Sequence, residues 1–137
     1  MRVVLDTNVF VSAAITPTGV SAQVVSRGLE HDYQLVVSPR LLAEIQAVLA
    51  RPKFERLITA DELEHFLLDV RAGSDSVGDP DDVPAATRDP KDDYLVALAR
   101  SARADLLVSG DPDLHAEEEQ RPPVVSPREL LTRLGDA

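Results

Sequence analysis

The sequence predicts a three-layer α/β/α fold with a mostly parallel sheet covered by helices on both faces. Three observations predict it. Short apolar runs without polar alternation, at Val3 to Leu5, Gln34 to Val37 and Leu106 to Val108, have the pattern of strands buried on both sides. Longer amphipathic stretches lie between them and begin with helix-start chemistry at Ser38-Pro39, Thr59 to Glu62 and Asp89-Pro90. The two patterns alternate over all 137 residues without an internal repeat or a linker, so residues 1–137 are expected to form one domain.

The opening run Arg2-Val3-Val4-Leu5 leads straight into Asp6-Thr7-Asn8, so a buried strand ends in a carboxylate, a hydroxyl and an amide. Past the Thr16-Pro17-Thr18-Gly19 turn, a helix is expected over Ser21 to Glu30. Gln34 to Val37 is the second strand. Ser38 then supplies an N-cap and Pro39 the first helical position of a helix that carries Leu41, Leu42, Ile45, Val48 and Leu49 on one stripe, until Arg51-Pro52 ends it. Thr59 and Glu62 have the spacing of a capping box ahead of Leu63, Phe66, Leu67 and Val70. Gly73 to Pro84 reads as an acidic loop, with a short strand expected near Val83 to Thr87. Asp89-Pro90 opens a helix bearing Leu95, Leu98, Ala99 and Ala102. Asp105 to Asp111 then repeats the opening design, an apolar strand followed by a carboxylate. Pro123 to Pro127 makes a last short strand, capped into a helix over Arg128 to Leu134.

The bulk composition narrows the chemistry. There are no cysteines, which excludes a disulfide framework and thiolate metal sites and points to a reducing compartment. The net charge of −10 argues against simple electrostatic binding of nucleic acid. It leaves room for an enzyme that meets phosphates through bound divalent cations, since the cation reverses the local field. The N-terminal apolar run is broken at Asp6, too early for a signal peptide or a membrane span, so a cytoplasmic location is expected.

The acids are the candidates for a site. Asp6 and Asp111 both follow apolar strands, and in a parallel sheet both lie at its C-terminal edge, where ligands bind in such folds. Neighbouring strands would bring their backbones to about 5 Å, although either aspartate alone is equally a turn or cap residue. At about 100° per residue, Glu44 falls about 100° from the centre of its helix's apolar stripe, on the border between buried and wet. On the next helix, Asp92 sits roughly 85° from the buried side and Asp93 nearly opposite it, so Asp92 is the candidate and Asp93 is expected to face solvent. Asp92 also suits the third position after the Asp89 cap. Asp113 is either a fifth ligand or the cap of a short Asp113 to Glu118 segment, and the cap is favoured. His31, His65 and His115 lack metal-ligand spacing, and no nucleophilic triad, Walker-type loop or dinucleotide fingerprint is present. A site made only of carboxylates suits Mg²⁺ or Mn²⁺.

Taken together, VVLDTNVFVS, SPRLLAEI, DPKDDYLVALA and ADLLVSGDPDL resemble, in order and over nearly the whole chain, the PIN-domain family of metal-dependent ribonucleases. The third segment, of DPxDD form, is most similar to toxin components of toxin–antitoxin pairs. The resemblance implies a PIN-like sheet of five parallel strands with the first and fourth central. It makes Asp6, Glu44, Asp92 and Asp111 the four acids of the site, with Asp6, Asp92 and Asp111 as ligands of Mg²⁺ or Mn²⁺. Asn8 and Ser109 match the family's supporting polar positions, and relatives often carry Asn or Asp at Asp93. The implied reaction is hydrolysis of an RNA phosphodiester, and the implied partners are RNA, a second copy in a homodimer and, in the toxin reading, an antitoxin.

Arg51, Lys53 and Arg56 form the densest cationic cluster and are the candidate phosphate contacts, set against the simpler reading of a solvated loop after a helix. Two rivals are carried forward. A haloacid-dehalogenase-like phosphatase would also place an aspartate after its first strand, but it calls for a second one two residues later, where this chain has Asn8. A non-catalytic PIN-like module that binds RNA or protein is the other, and it has no need of mutually repelling carboxylates.

Overall fold

The structure is a computed structural model that describes residues 1–85, 89–115 and 122–135. Its elements are β1 (Arg2–Leu5), α1 (Thr7–Ile15), α2 (Val20–Leu29), β2 (Gln34–Val37), α3 (Pro39–Leu49), α4 (Ala60–Gly73), β3 (Asp75–Ser76), α5 (Pro90–Ser101), β4 (Leu106–Val108), α6 (Pro112–His115), β5 (Val124–Val125) and α7 (Pro127–Arg133). The strands form one sheet of order β3-β2-β1-β4-β5, every pair parallel. The α/β/α architecture with adjacent first and fourth strands is therefore as expected.

The apolar runs sit where their composition requires. Val3, Val4, Leu5, Leu35, Val36, Val37, Leu106, Leu107 and Val108 are all buried, because helices cover both faces of the central strands. The caps are also as read: the Ser38 hydroxyl accepts from the Leu41 N–H, Thr59 and Glu62 close a capping box, and the Asp89 carboxylate accepts from the Lys91 N–H. A second capping box, Ser126 with Glu129, starts α7.

The order of the strands decides where a site can form. From β1 the chain steps outward to β2 and β3, then returns through α5 to β4 on the other side of β1. Right-handed crossovers put helices of the outward and return steps on opposite faces. In agreement, α1 packs with α2 and α3, whereas α5 packs on β1 and β4. The helices diverge between β1 and β4, which leaves the crevice at a topological switch point where α/β sheets bind ligands.

Three expectations are corrected. An additional helix, α1, begins directly after Asp6, at Thr7, where none was expected, whereas the helix expected over Ser21 to Glu30 forms as α2, Val20–Leu29. Of the strand expected near Val83 to Thr87, the described part, Val83 to Ala85, has no regular structure, and 86–87 lie outside the described residues. The edge strand is instead Asp75–Ser76, paired parallel with Val36 and Val37. The third correction concerns α5, which is buried from Asp92 through Ala99 and so has no solvent face there. Val77 and Val83, from the segment after β3, pack against the core, and Pro80 and Pro84 border Val96 and Ala97. Among the described residues, no single helix is long and apolar enough to cross a membrane.

Candidate active site

The register of β1 against β4 places the first functional groups. Leu5 pairs with Val108, so Asp6 and Ser109, each one residue further on, stand level at the C-terminal edge. The Ser109 hydroxyl donates to Asp6 Oδ2 at 2.8 Å and accepts from the Asp111 N–H at 3.0 Å. Ser109 is fully buried, so this hydroxyl joins the ends of the two strands without competition from water. The other oxygen, Asp6 Oδ1, accepts from the Asn8 N–H at 3.3 Å, which makes Asp6 the N-cap of α1. Cap and site residue are thus one residue in two roles, as the short step from strand to helix requires.

The remaining acids arrive from the helices. Glu44 comes from the half-buried border of α3, and Asp92 from the first turn of α5. Asp6, Glu44, Asp92 and Asp111 line one cleft of about 220 Å³, together with Thr7, Asn8 and Asp89. The placement of Glu44 and Asp92 therefore agrees with what helical geometry gives for each. Asp93 does not line the cleft, and its expected solvent exposure is overturned, since it is 9% exposed inside the covered helix. Asp113 is the second residue of α6, so it is not the cap of that helix; Asp111 immediately precedes it, and the Asp111 carbonyl accepts from the His115 N–H. The expected extension of that segment to Glu118 lies partly outside the described residues.

The electrostatics record how closely these groups act on one another. Burial pushes the Asp6 carboxyl up; the bonds from Ser109 and Asn8 pull against it, and the charges of Asp111 and Glu44 add to the rise. Asp92 is pushed up to about 6, first by burial and then by the charges of Asp6, Asp111, Asp89 and Asp93. Carboxylates held together at such mutual cost are stabilised by a cation between them. The donors are all hard oxygens, which fits Mg²⁺ or Mn²⁺ and not a soft metal. Among the described residues, no three acidic or histidine side chains already converge as a closed cage. The donor chemistry fits the ion, and the arrangement is an open cleft.

Two cations stand at this cleft, Arg51 and Lys91. Arg51 belongs to the cationic cluster expected to meet phosphates. Lys53 and Arg56 lie outside the lining, and the Lys53 ammonium sits over the Phe54 ring at 5.1 Å. Lys91 and Thr7 were missed. The signal for Lys91 was available in DPKDD, because a residue beside Asp92 in the first helical turn shares its end of the helix.

Comparison with known proteins agrees with this fold. The family model for the PIN domain matches residues 2–113. An uncharacterized protein of Methanocaldococcus jannaschii is 27% identical over 114 residues, covering 83% of this chain and 73% of that protein. The crystal structure of a Pyrobaculum aerophilum protein covers all of this chain and 91% of its own, with a TM-score of 0.68 at 19% identity, a likeness of fold.

Proposed function

The chain belongs to the PIN-domain family, whose members are generally nucleases, and from that premise we propose that it is a metal-dependent ribonuclease that hydrolyses RNA phosphodiester bonds. The observation that carries the reading is the convergence of Asp6, Glu44, Asp92 and Asp111, from four different parts of the chain, on one cleft at the switch point. Asp6, Asp92 and Asp111 would hold Mg²⁺ or Mn²⁺, and Glu44 would complete the shell or orient the attacking water. The ion, when bound, supplies a water of lowered pKa and neutralises charge developing on the phosphoryl oxygens.

This chain's own groups do the remaining work. The Ser109 hydroxyl and the Asn8 N–H fix both oxygens of Asp6, so its carboxylate cannot rotate freely. Glu44, half-buried on α3, lines the same cleft and is close enough for its charge to act on Asp6. Arg51 and Lys91 bring positive charge to the rim of an otherwise acidic protein and would seat the phosphates flanking the scissile bond.

Cleavage of labelled single-stranded and hairpin RNA, with Mn²⁺ titrated in and removed by EDTA, tests the reading. Wild type should cut only with the metal, and Asp92→Ala should lose at least about 100-fold in rate; metal-independent cutting, or full activity in Asp92→Ala, contradicts it. The haloacid-dehalogenase-like alternative would require a covalent acyl-phosphate on Asp6, which mass spectrometry after phosphate-ester turnover would detect. A toxin role is supported only by the DPKDD segment, and growth arrest on expression, relieved by the product of a neighbouring reading frame, is its test.

A further inference from the structure

A second polar cluster lies at the same sheet edge and takes no part in the acid cleft. Ser38, one residue past β2, is fully buried, and its hydroxyl lies 2.5 Å from the hydroxyl of Tyr94, itself 2% exposed. The Tyr94 hydroxyl donates to Asp79, in the segment after β3, and Asp79 also accepts from the Arg40 N–H at 3.1 Å. The Ser38 hydroxyl is also a hydrogen-bond partner of Asp79, so the two hydroxyls share their two protons among Ser38, Tyr94 and Asp79. The Arg40 guanidinium covers the outer face of the Tyr94 ring at 4.2 Å. Three segments, β2–α3, β3–α5 and α5 itself, are tied through one phenolic oxygen.

The position of Tyr94 gives this knot a consequence. It lies two residues after Asp92 in the first turn of α5, so the two side chains leave the helix about 200° apart. Asp92 points to the cleft while Tyr94 is held by the β2–α3 junction on the other side. The same junction begins the helix that carries Glu44. We propose that Tyr94, anchored by Ser38 and Asp79, is a positioning residue that sets the rotation of α5 and thereby the place of Asp92 relative to Glu44 and Asp6. A carboxylate about 6 Å from a helix axis moves about 1 Å for each 10° of rotation. A displacement of that size can cost about 100-fold in rate.

This inference rests on the metal-dependent nuclease reading. Its test compares wild type, Tyr94→Phe and Tyr33→Phe by Mn²⁺ calorimetry, RNA cleavage kinetics and thermal unfolding. Tyr33 is the matched control: it is 3% exposed and donates to the Val24 carbonyl at 2.7 Å, just before β2 and so at the opposite sheet edge. Each variant loses a buried phenolic hydroxyl, with its bonds to Ser38 and Asp79 at Tyr94 and its single bond to Val24 at Tyr33, so both should unfold at lower temperature. Only Tyr94→Phe should bind Mn²⁺ about 10-fold more weakly and lose about 10- to 100-fold in kcat, with KM for RNA changed little. In an Asp92→Asn background, Tyr94→Phe should cause no further loss. Equal effects of the two tyrosine substitutions, or an additive loss in the Asp92→Asn background, overturn the inference while the nuclease reading stands. A wild type that neither binds Mn²⁺ nor cuts RNA overturns both.

Discussion

Replacing Asp92 by asparagine should stabilise the metal-free protein while destroying its function. The carboxyl of Asp92 is pushed up from 3.8 to about 6. A rise of that size corresponds to about 3 kcal/mol if the group were wholly screened from water. Asp92 is 8% exposed but opens onto a wet cleft, so solvent reduces the figure to about 1–2 kcal/mol. The sign follows from the direction of the change. A carboxyl that binds its proton more tightly in the folded chain contributes stability fully present below pH 3.8, and loses it as pH rises through about 6. Asparagine imitates the protonated form. In EDTA at pH 7.5, Asp92→Asn should therefore melt about 4–8 °C above wild type, and at about pH 4 the advantage should disappear. Circular dichroism melts at both values read the effect, with Mn²⁺ calorimetry and RNA cleavage on the same samples. An Asp92→Asn protein that melts below wild type at the higher pH, or that keeps the same gain at the lower, refutes the argument from repelling carboxylates.

The other expected outcomes follow from single contacts. Ser109→Ala removes the hydroxyl that bridges Asp6 and the Asp111 N–H inside a fully buried site; it should cost about 2 kcal/mol in denaturant unfolding and weaken Mn²⁺ binding about 10-fold or more. Mn²⁺ affinity should weaken as pH falls through about 6, where Asp92 takes up its proton, and calorimetry in buffers of different ionisation enthalpy should show proton release on binding near that pH. Gly28→Ala, away from the cleft, would place a Cβ 2.7 Å from the Tyr33 hydroxyl oxygen and 2.8 Å from its ring; it should destabilise by about 1–3 kcal/mol without altering Mn²⁺ affinity. Lys91→Glu should raise KM for RNA and flatten its salt dependence, whereas Lys53→Glu should leave both near wild type.

The parts of the fold that were legible in the sequence are those whose local chemistry and burial agree. β1, β2 and β4 are apolar because they are covered on both faces, and Ser38, Thr59 and Asp89 announce helices because their side chains take up otherwise unpaired N–H groups. β3 was not legible: its two residues, Asp75 and Ser76, are polar, and only pairing with β2 makes them a strand. α1 was hidden because Thr7, Val9 and Val11 are β-branched and favour strands locally, while the Asp6 cap and burial against the core decide for helix. Helical geometry found Asp92 but misplaced Asp93, since it presumed one wet face where the segment after β3 covers α5 from outside. Pairwise strand register, invisible in one sequence, is what sets Ser109 opposite Asp6 and leaves Asp111 to reach the cleft from beyond.

The most direct measurement of the central claim is the rate of RNA cleavage against Mn²⁺ concentration for wild type and Asp6→Asn, whose side chain keeps an oxygen for Ser109 but loses its charge. Metal-dependent cleavage by wild type that falls at least about 100-fold in Asp6→Asn is the predicted result. Equal rates for the two proteins, or cleavage by wild type unaffected by EDTA, would contradict a nuclease site built on that carboxylate.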